Sequence, residues 1–175
     1  TLDMGGGHCH PLNLALGLAR AAEAAGAVIF ERSAVTDVSR GDPHGVQTAG
    51  GSVRAKKIVY ACNGYLCGLE PTTAPKVMPI NSFVVATEPL SEELARSLIR
   101  DDVAVADSRF VVNYYRLSED RRLLFGGGET YGYKFHSHIN DFVTKPLLQL
   151  YPQLKDMKID FGWGGTLGIT MPRLP

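Results

Sequence analysis

Two hydrophobic periodicities divide the chain. Between Pro11 and Gly26, Leu14, Leu18, Ala21 and Ala25 recur at helical spacing, and Ala15, Ala19, Ala22 and Ala24 keep much of the remaining surface small. The pattern predicts a helix able to lie close to a sheet, with Pro11 in its first turn and Gly26 as its stop. The apolar run Ala27 to Phe30 predicts a short buried strand, so helix, glycine and strand read as half of a βαβ unit. From Ser33 to Ala55 the period falls to two. Val35 and Val38, then Val46 to Thr48, then Ser52 to Arg54, separated by Gly41-Asp42-Pro43 and Gly50-Gly51, predict a three-stranded antiparallel meander. Lys57 to Cys62 predicts a second fully buried strand, ending in the turn Asn63-Gly64.

Pro71, Pro75 and Pro79 punctuate a boundary after which strands dominate. Ile80 to Glu88 predicts a long strand. Ser91 caps a helix reaching Ile99, with Glu92 and Glu93 where the helix dipole favours acids. Val103 to Ala106, Val111 to Leu117 and Leu123 to Phe125 predict further strands, the last two joined by a turn at Ser118-Glu119-Asp120. A helix from about Asp141 to Tyr151 carries Pro146 near its start or at a kink. Ile159 to Thr166 predicts a last strand, bearing Trp163. This half is an α+β layer with two helices on one side of the sheet.

Composition narrows the function classes. The chain has 175 residues, 45% of them hydrophobic and 21% charged, which excludes bulk disorder and supplies a core. Eighteen basic residues balance 18 acidic ones, so no general electrostatic attraction to nucleic acid or an anionic membrane is expected. No apolar run is long enough to span a bilayer. An odd count of three cysteines, in buried-looking sequence, fits reduced thiols and a cytoplasmic location. A start at Thr1 without a signal peptide, and an end at Pro175 without a terminal helix, suggest an internal piece of a longer protein.

The candidate motifs are weak one by one. His8-Cys9-His10 lacks a further ligand at suitable spacing, so a metal site is not expected. Gly5-Gly6-Gly7, Gly126-Gly127-Gly128 and Gly162-Trp163-Gly164-Gly165 all miss the dinucleotide spacing and read as turns or bulges. Cys62 and Cys67 lie too far apart for a redox pair and read as core cysteines. Asn63-Gly64, following a buried strand, is a place where a ligand could approach backbone closely. Tyr114 and Arg116 could offer a phenol and a guanidinium to a carboxylate substrate, but from the residues alone a purely structural role, Tyr on a sheet face and Arg at a strand end, is the plainer reading. No Gly-x-Ser-x-Gly elbow supports a hydrolase.

Taken in order, these segments resemble one family. Gly5 to Leu12, Gly17 to Ala27, Phe30 to Thr36, Ile58 to Tyr65, Leu124 to Gly128, Tyr151 to Leu154 and Trp163 to Thr166 are similar to the middle of the FAD-dependent D-amino-acid oxidase, glycine oxidase and sarcosine oxidase family, nearest its gamma-glutamylputrescine oxidase-like branch. The resemblance implies an α+β fold: an antiparallel sheet with covering helices for substrate, plus an incomplete doubly wound FAD-binding part carrying a small β-meander. It divides the chain into residues 1–70 (cofactor part), 71–166 (substrate part) and 167–175 (return to the cofactor part). It implies FAD as cofactor and a small amine or amino acid as substrate, with hydride passing to the flavin. Val35 would meet the adenine end, Asn63 and Gly64 would turn beneath the cofactor, and Trp163, Gly164 and Gly165 would approach the flavin. His10, Tyr114 and Arg116 would border the substrate. No residue of this chain is assigned as catalytic. The family's pyrophosphate-binding Gly-x-Gly-x-x-Gly segment does not occur in these residues, so this polypeptide alone is expected to hold little or no FAD and to be inactive. The competing expectation is a non-catalytic small-molecule binding or regulatory module with an oxidase-like sheet.

Overall fold

The computed structural model describes residues 1–172. They form two compact units: residues 1–62 with 66–75, and Asn63–Tyr65 with the described residues from Lys76 onward.

The first unit opens with helix α1, Pro11–Ala24. His10 is its N-cap, accepting the Asn13 N–H on Nδ1 at 3.3 Å. Pro11 fills the first helical position, where its missing N–H costs nothing. Gly26, at φ +94, supplies the left-handed stop. The meander then forms as its turn chemistry dictates: β1 (Val35–Ser39), β2 (His44–Thr48) and β3 (Gly51–Ala55) pair antiparallel in that order. Thr48 pairs with Gly51 across a two-residue loop.

The two buried strands expected in this unit do not form. Residues 27–30 and 57–62 have no strand pairing, and Val28, Phe30 and Val59 are 74%, 71% and 87% exposed. An interior parallel strand needs neighbours on both edges and cover on both faces, and the described residues of this unit supply neither. The cysteines differ too: Cys9 and Cys67 are exposed and Cys62 is half-buried, all three as free thiols. They are not core residues.

A polar clasp ties the turn between β1 and β2 to the 66–75 segment. Glu70, buried, accepts the Thr73 N–H at 2.6 Å and pairs with the Arg40 guanidinium at 2.7 Å. Hydrogen bonding from Thr73 outweighs the burial that opposes it, and with help from Thr72 and Arg40 holds this carboxyl down from its ordinary 4.5 to about 2. A depressed carboxylate stabilises the fold above its unfolded value and loses that contribution as pH falls toward the folded one. The Thr73 amide resonance should therefore hold its shift from neutral pH through pH 4.5 and move only as pH approaches 2. Movement centred near pH 4.5 would contradict the clasp.

The second unit is a five-stranded antiparallel sheet with helices on one face. Its strands are β4 (Val77–Thr87), β5 (Val105–Ala106), β6 (Tyr114–Leu117), β7 (Leu123–Tyr131) and β8 (Ile159–Thr170), in the order β5-β6-β7-β4-β8. Helices α2 (Glu92–Leu98) and α3 (Ile139–Leu150) contribute Ala95, Val143 and Leu147 to a core with Phe83, Val85, Leu123 and Phe125. Ser91 caps α2 through the Leu94 N–H at 3.2 Å, as its position predicts. Pro146 lies inside α3, not near its start. Both strands at the Gly126 and Trp163 ends run on past their expected limits, through the glycine runs, and β8 reaches Thr170. Residues 173–175, in the segment expected to return to a cofactor part, lie outside the described residues.

Arg122 fastens three strand ends on this sheet. It pairs with Asp160 at 2.6 Å and Asp120 at 2.7 Å, donates to the Thr87 carbonyl at 2.9 Å, and lies 5.2 Å from the Phe161 ring centroid. Hydrogen bonds first from Arg122 and then Lys158 hold the Asp160 carboxyl below the ordinary aspartate range.

Candidate functional site

Pairing register decides which residues share a face, because partners in an antiparallel ladder point the same way. On β4, Phe83 and Val85 point into the helix-covered core, with Gly164 and Gly162 beside them on β8. Ser82 and Val84 point the other way. Their partners are Gly165 and Trp163 on β8, and Glu129 and Gly126 on β7, with Tyr114 opposite Gly126 on β6. This second face has no helix over it. It leaves Phe161, Trp163 and Leu167 57%, 45% and 44% exposed on an edge strand.

Of the residues singled out from sequence, Tyr114, Arg116, Trp163 and Gly165 come together on this open face. The Tyr114 ring lies over Gly126, where any Cβ would collide with it, and its hydroxyl is 2.8 Å from Ser82 Oγ. Arg116 is partly buried and donates to the Leu117 carbonyl at 3.0 Å. Gly164 points to the core instead, where a Cβ would stand 2.6 Å from the Phe83 ring. Gly165 has open space: a Cβ there would meet nothing within 4 Å.

Asn63 and Gly64 form a single tight helical turn packed on β8. Asn63 Oδ1 accepts the Gly168 N–H at 2.7 Å, and the Tyr65 hydroxyl accepts the Thr166 N–H at 3.0 Å. That backbone donor, followed by the Thr166 side chain, lowers the Tyr65 pKa from its ordinary value. Gly64 is required here by protein: its missing Cβ would lie 2.8 Å from the Leu167 carbonyl carbon. Val35 and His10 belong to the first unit, Val35 opening β1 and His10 capping α1. Among the described residues no group of three or more His, Cys, Asp or Glu could hold a metal ion, and no helix is long and apolar enough to cross a membrane.

The sequence reading missed a cleft of about 170 Å³ on the open face. Ile80, Leu167 and Ile169 form one wall, and Phe110 to Val112, from the loop between β5 and β6, form the other. Ser82, Tyr114 and Glu129 are its polar members. The loop is held by Asp107, whose carboxylate accepts the Arg109 N–H at 3.1 Å, the Asn113 N–H at 3.0 Å and the Asn113 side-chain amide at 2.9 Å. Burial, the largest single influence on Asp107, pushes its pKa up, but these donors together bring it below the ordinary range.

Glu129 reaches the cleft because of a bulge. Ser82 pairs with Glu129 but Val84 with Gly126, so β7 spends one extra residue there, and Gly128 takes φ +78. Strict alternation from Leu123 and Phe125 would have sent residue 129 into the core. The glycine run marks the bulge in the sequence, but its consequence for Glu129 needed the register.

Comparison with known proteins agrees with this architecture. The chain is 45% identical over 175 residues to gamma-glutamylputrescine oxidoreductase of Escherichia coli (strain K12), covering 99% of this chain and 41% of that protein. It is 42% identical over 174 residues to the probable oxidoreductase OrdL of Rhizobium meliloti (strain 1021), covering 99% and 40%. It thus spans about two-fifths of the length of these curated relatives. The fold matches the crystal structure of glycine oxidase from Geobacillus kaustophilus with a TM-score of 0.72 at 23% identity, over 93% of this chain and 43% of that one. L-proline dehydrogenase from P. horikoshii matches with a TM-score of 0.69 at 20% identity, over 89% and 43%. The profile of the DAO family, described as FAD dependent oxidoreductase, matches residues 1–175, and the chain belongs to that family.

Proposed function

We propose that this chain is part of an FAD-dependent oxidoreductase that oxidises the C–N bond of a small amine or amino acid, with residues 71–166 forming most of its substrate part and residues 1–70 part of its cofactor part. The observation that carries the reading is the open sheet face: a flat, partly apolar surface bearing Tyr114, Arg116 and Trp163 beside the bare backbone of Gly165. The absence of any neighbour at a Gly165 Cβ fits the close approach of a planar ring system. The exposed apolar residues of 27–30 and 57–62 fit a sheet completed by strands from elsewhere in a longer protein. Three free thiols suit the cytoplasm.

Bound FAD supplies the acceptor for hydride from the carbon bearing the amine. The chain's own residues bind and orient. Trp163 and Gly165 would border the ring, with Gly164 facing the core behind them and Asn63 and Gly64 holding the β8 backbone. Arg116 would give charge-assisted donors to a substrate carboxylate. The Tyr114 hydroxyl, positioned by Ser82, would offer a second polar contact. Trp163 and Leu167 would exclude water from the reacting carbon.

Turnover tests the reading. The full-length protein carrying this sequence should convert small primary amines or amino acids to carbonyl products with a dye as electron acceptor. A flavin-loaded protein that turns over none of them across a broad panel would refute it.

A further inference from the structure

We propose that Glu129 binds the ammonium group of the substrate, and that the cleft above it selects an aliphatic amine. This deepens, and rests on, the reading of the open face as a substrate surface. Glu129, Ser82 and Gly165 form one row across β7, β4 and β8. Two strand spacings, about 10 Å, therefore separate the Glu129 backbone from Gly165. The bulge at Gly128 aims this carboxylate onto the open face, the kind of re-aiming that bulges perform beside sites.

Glu129 has no ion-pair partner among the salt bridges of the described residues. The nearest cation on the same face along the ladder is Arg116, opposite Leu124, which pairs with Ala86. Ala86 stands four residues along β4 from Ser82, or about 13 Å. Arg116 is itself partly buried, donates to the Leu117 carbonyl, and forms no salt bridge with Glu129 among the described residues. The carboxylate is thus available to a cation from outside the chain, and the Ser82 and Tyr114 hydroxyls lining the same cleft offer acceptor oxygens to an ammonium group. Phe110, Val112, Leu167 and Ile169 give the remaining wall apolar character, which suits an alkyl chain. At about 170 Å³ the cleft is smaller than the roughly 300–1,000 Å³ of sites for drug-sized ligands, so a short chain fits best.

The experiment is calorimetric titration of the full-length protein with n-butylamine and with its neutral near-isostere n-butanol, alongside steady-state turnover. The wild type should bind n-butylamine at least roughly tenfold more tightly than n-butanol, as a charge-assisted contact requires. Glu129→Gln should abolish that preference and raise KM for amines by a similar factor, with flavin content and kcat little changed. Glu129→Asp should keep most of the preference. Should Glu129→Gln fail to fold, the wild-type comparison alone decides, and no preference for the amine overturns the proposal. Turnover of amines with Glu129→Gln indistinguishable from wild type overturns the role of Glu129 and leaves the oxidoreductase reading standing. Amine-selective binding lost in Glu129→Gln, in a flavin-loaded protein that oxidises no amine, upholds Glu129 and refutes the oxidoreductase reading.

Discussion

Phe83→Ala is expected to destabilise the second unit by roughly 3–5 kcal/mol. Phe83 is fully buried at the centre of β4, and its ring meets Phe135 and Phe142 edge-on with centroids 5.9 and 5.8 Å away. Gly164 presses its backbone against the same ring from β8. Removing the ring empties the contact between sheet, α3 and the 133–138 segment at once, and neither backbone partner can collapse into the space without breaking ladder pairs. Urea denaturation of the full-length protein, followed by tryptophan fluorescence, reads the loss at Trp163, which is opposite Val84 in the same pair of strands. A shift below about 1 kcal/mol would mean that the sheet is not anchored through this ring.

The neighbouring glycines Gly164 and Gly165 should separate fold from function. Gly164→Leu puts a Cβ 2.6 Å from the Phe83 ring and 3.1 Å from the Ser82 carbonyl oxygen, so the protein should lose cooperative folding or melt far lower. Gly165→Leu meets no atom within 4 Å at its Cβ and should keep the melting temperature within a few degrees. On the proposed reading it fills the open face where the flavin ring approaches, and flavin content of the full-length protein should fall by at least roughly tenfold. Measuring melting temperature and bound flavin on both variants decides. Normal flavin content in a folded Gly165→Leu protein would remove Gly165 from the cofactor surface.

The sequence was most legible where local chemistry dictates structure. The meander follows from Gly41-Asp42-Pro43 and the glycines around residue 50, and the helix starts from Pro11 and Ser91. The strand-rich second half was legible as an α+β layer with helices on one side of its sheet. The strand assignments around Tyr114, Arg116 and Trp163 were legible too, though not that these residues would share a face; that depends on register across four strands. Glu129 was hidden for the same reason, its parity reversed by one extra residue at Gly128. The apolar runs 27–30 and 57–62 have strand-like sequence and no strand pairing, because a buried parallel strand is made by its neighbours as much as by its own residues. Gly64 shows the converse: its close approach was anticipated for a ligand, and within this chain the approach is to the β8 backbone.

The claim beneath these readings is that the uncovered face of the second sheet serves a flavin and an amine in the complete protein. The most direct measurement is the visible absorbance spectrum of purified full-length protein under nitrogen, before and after adding n-butylamine or a small amino acid. The account predicts a flavin spectrum that bleaches on addition and returns with an electron acceptor. A colourless protein that takes up no FAD on reconstitution would contradict it.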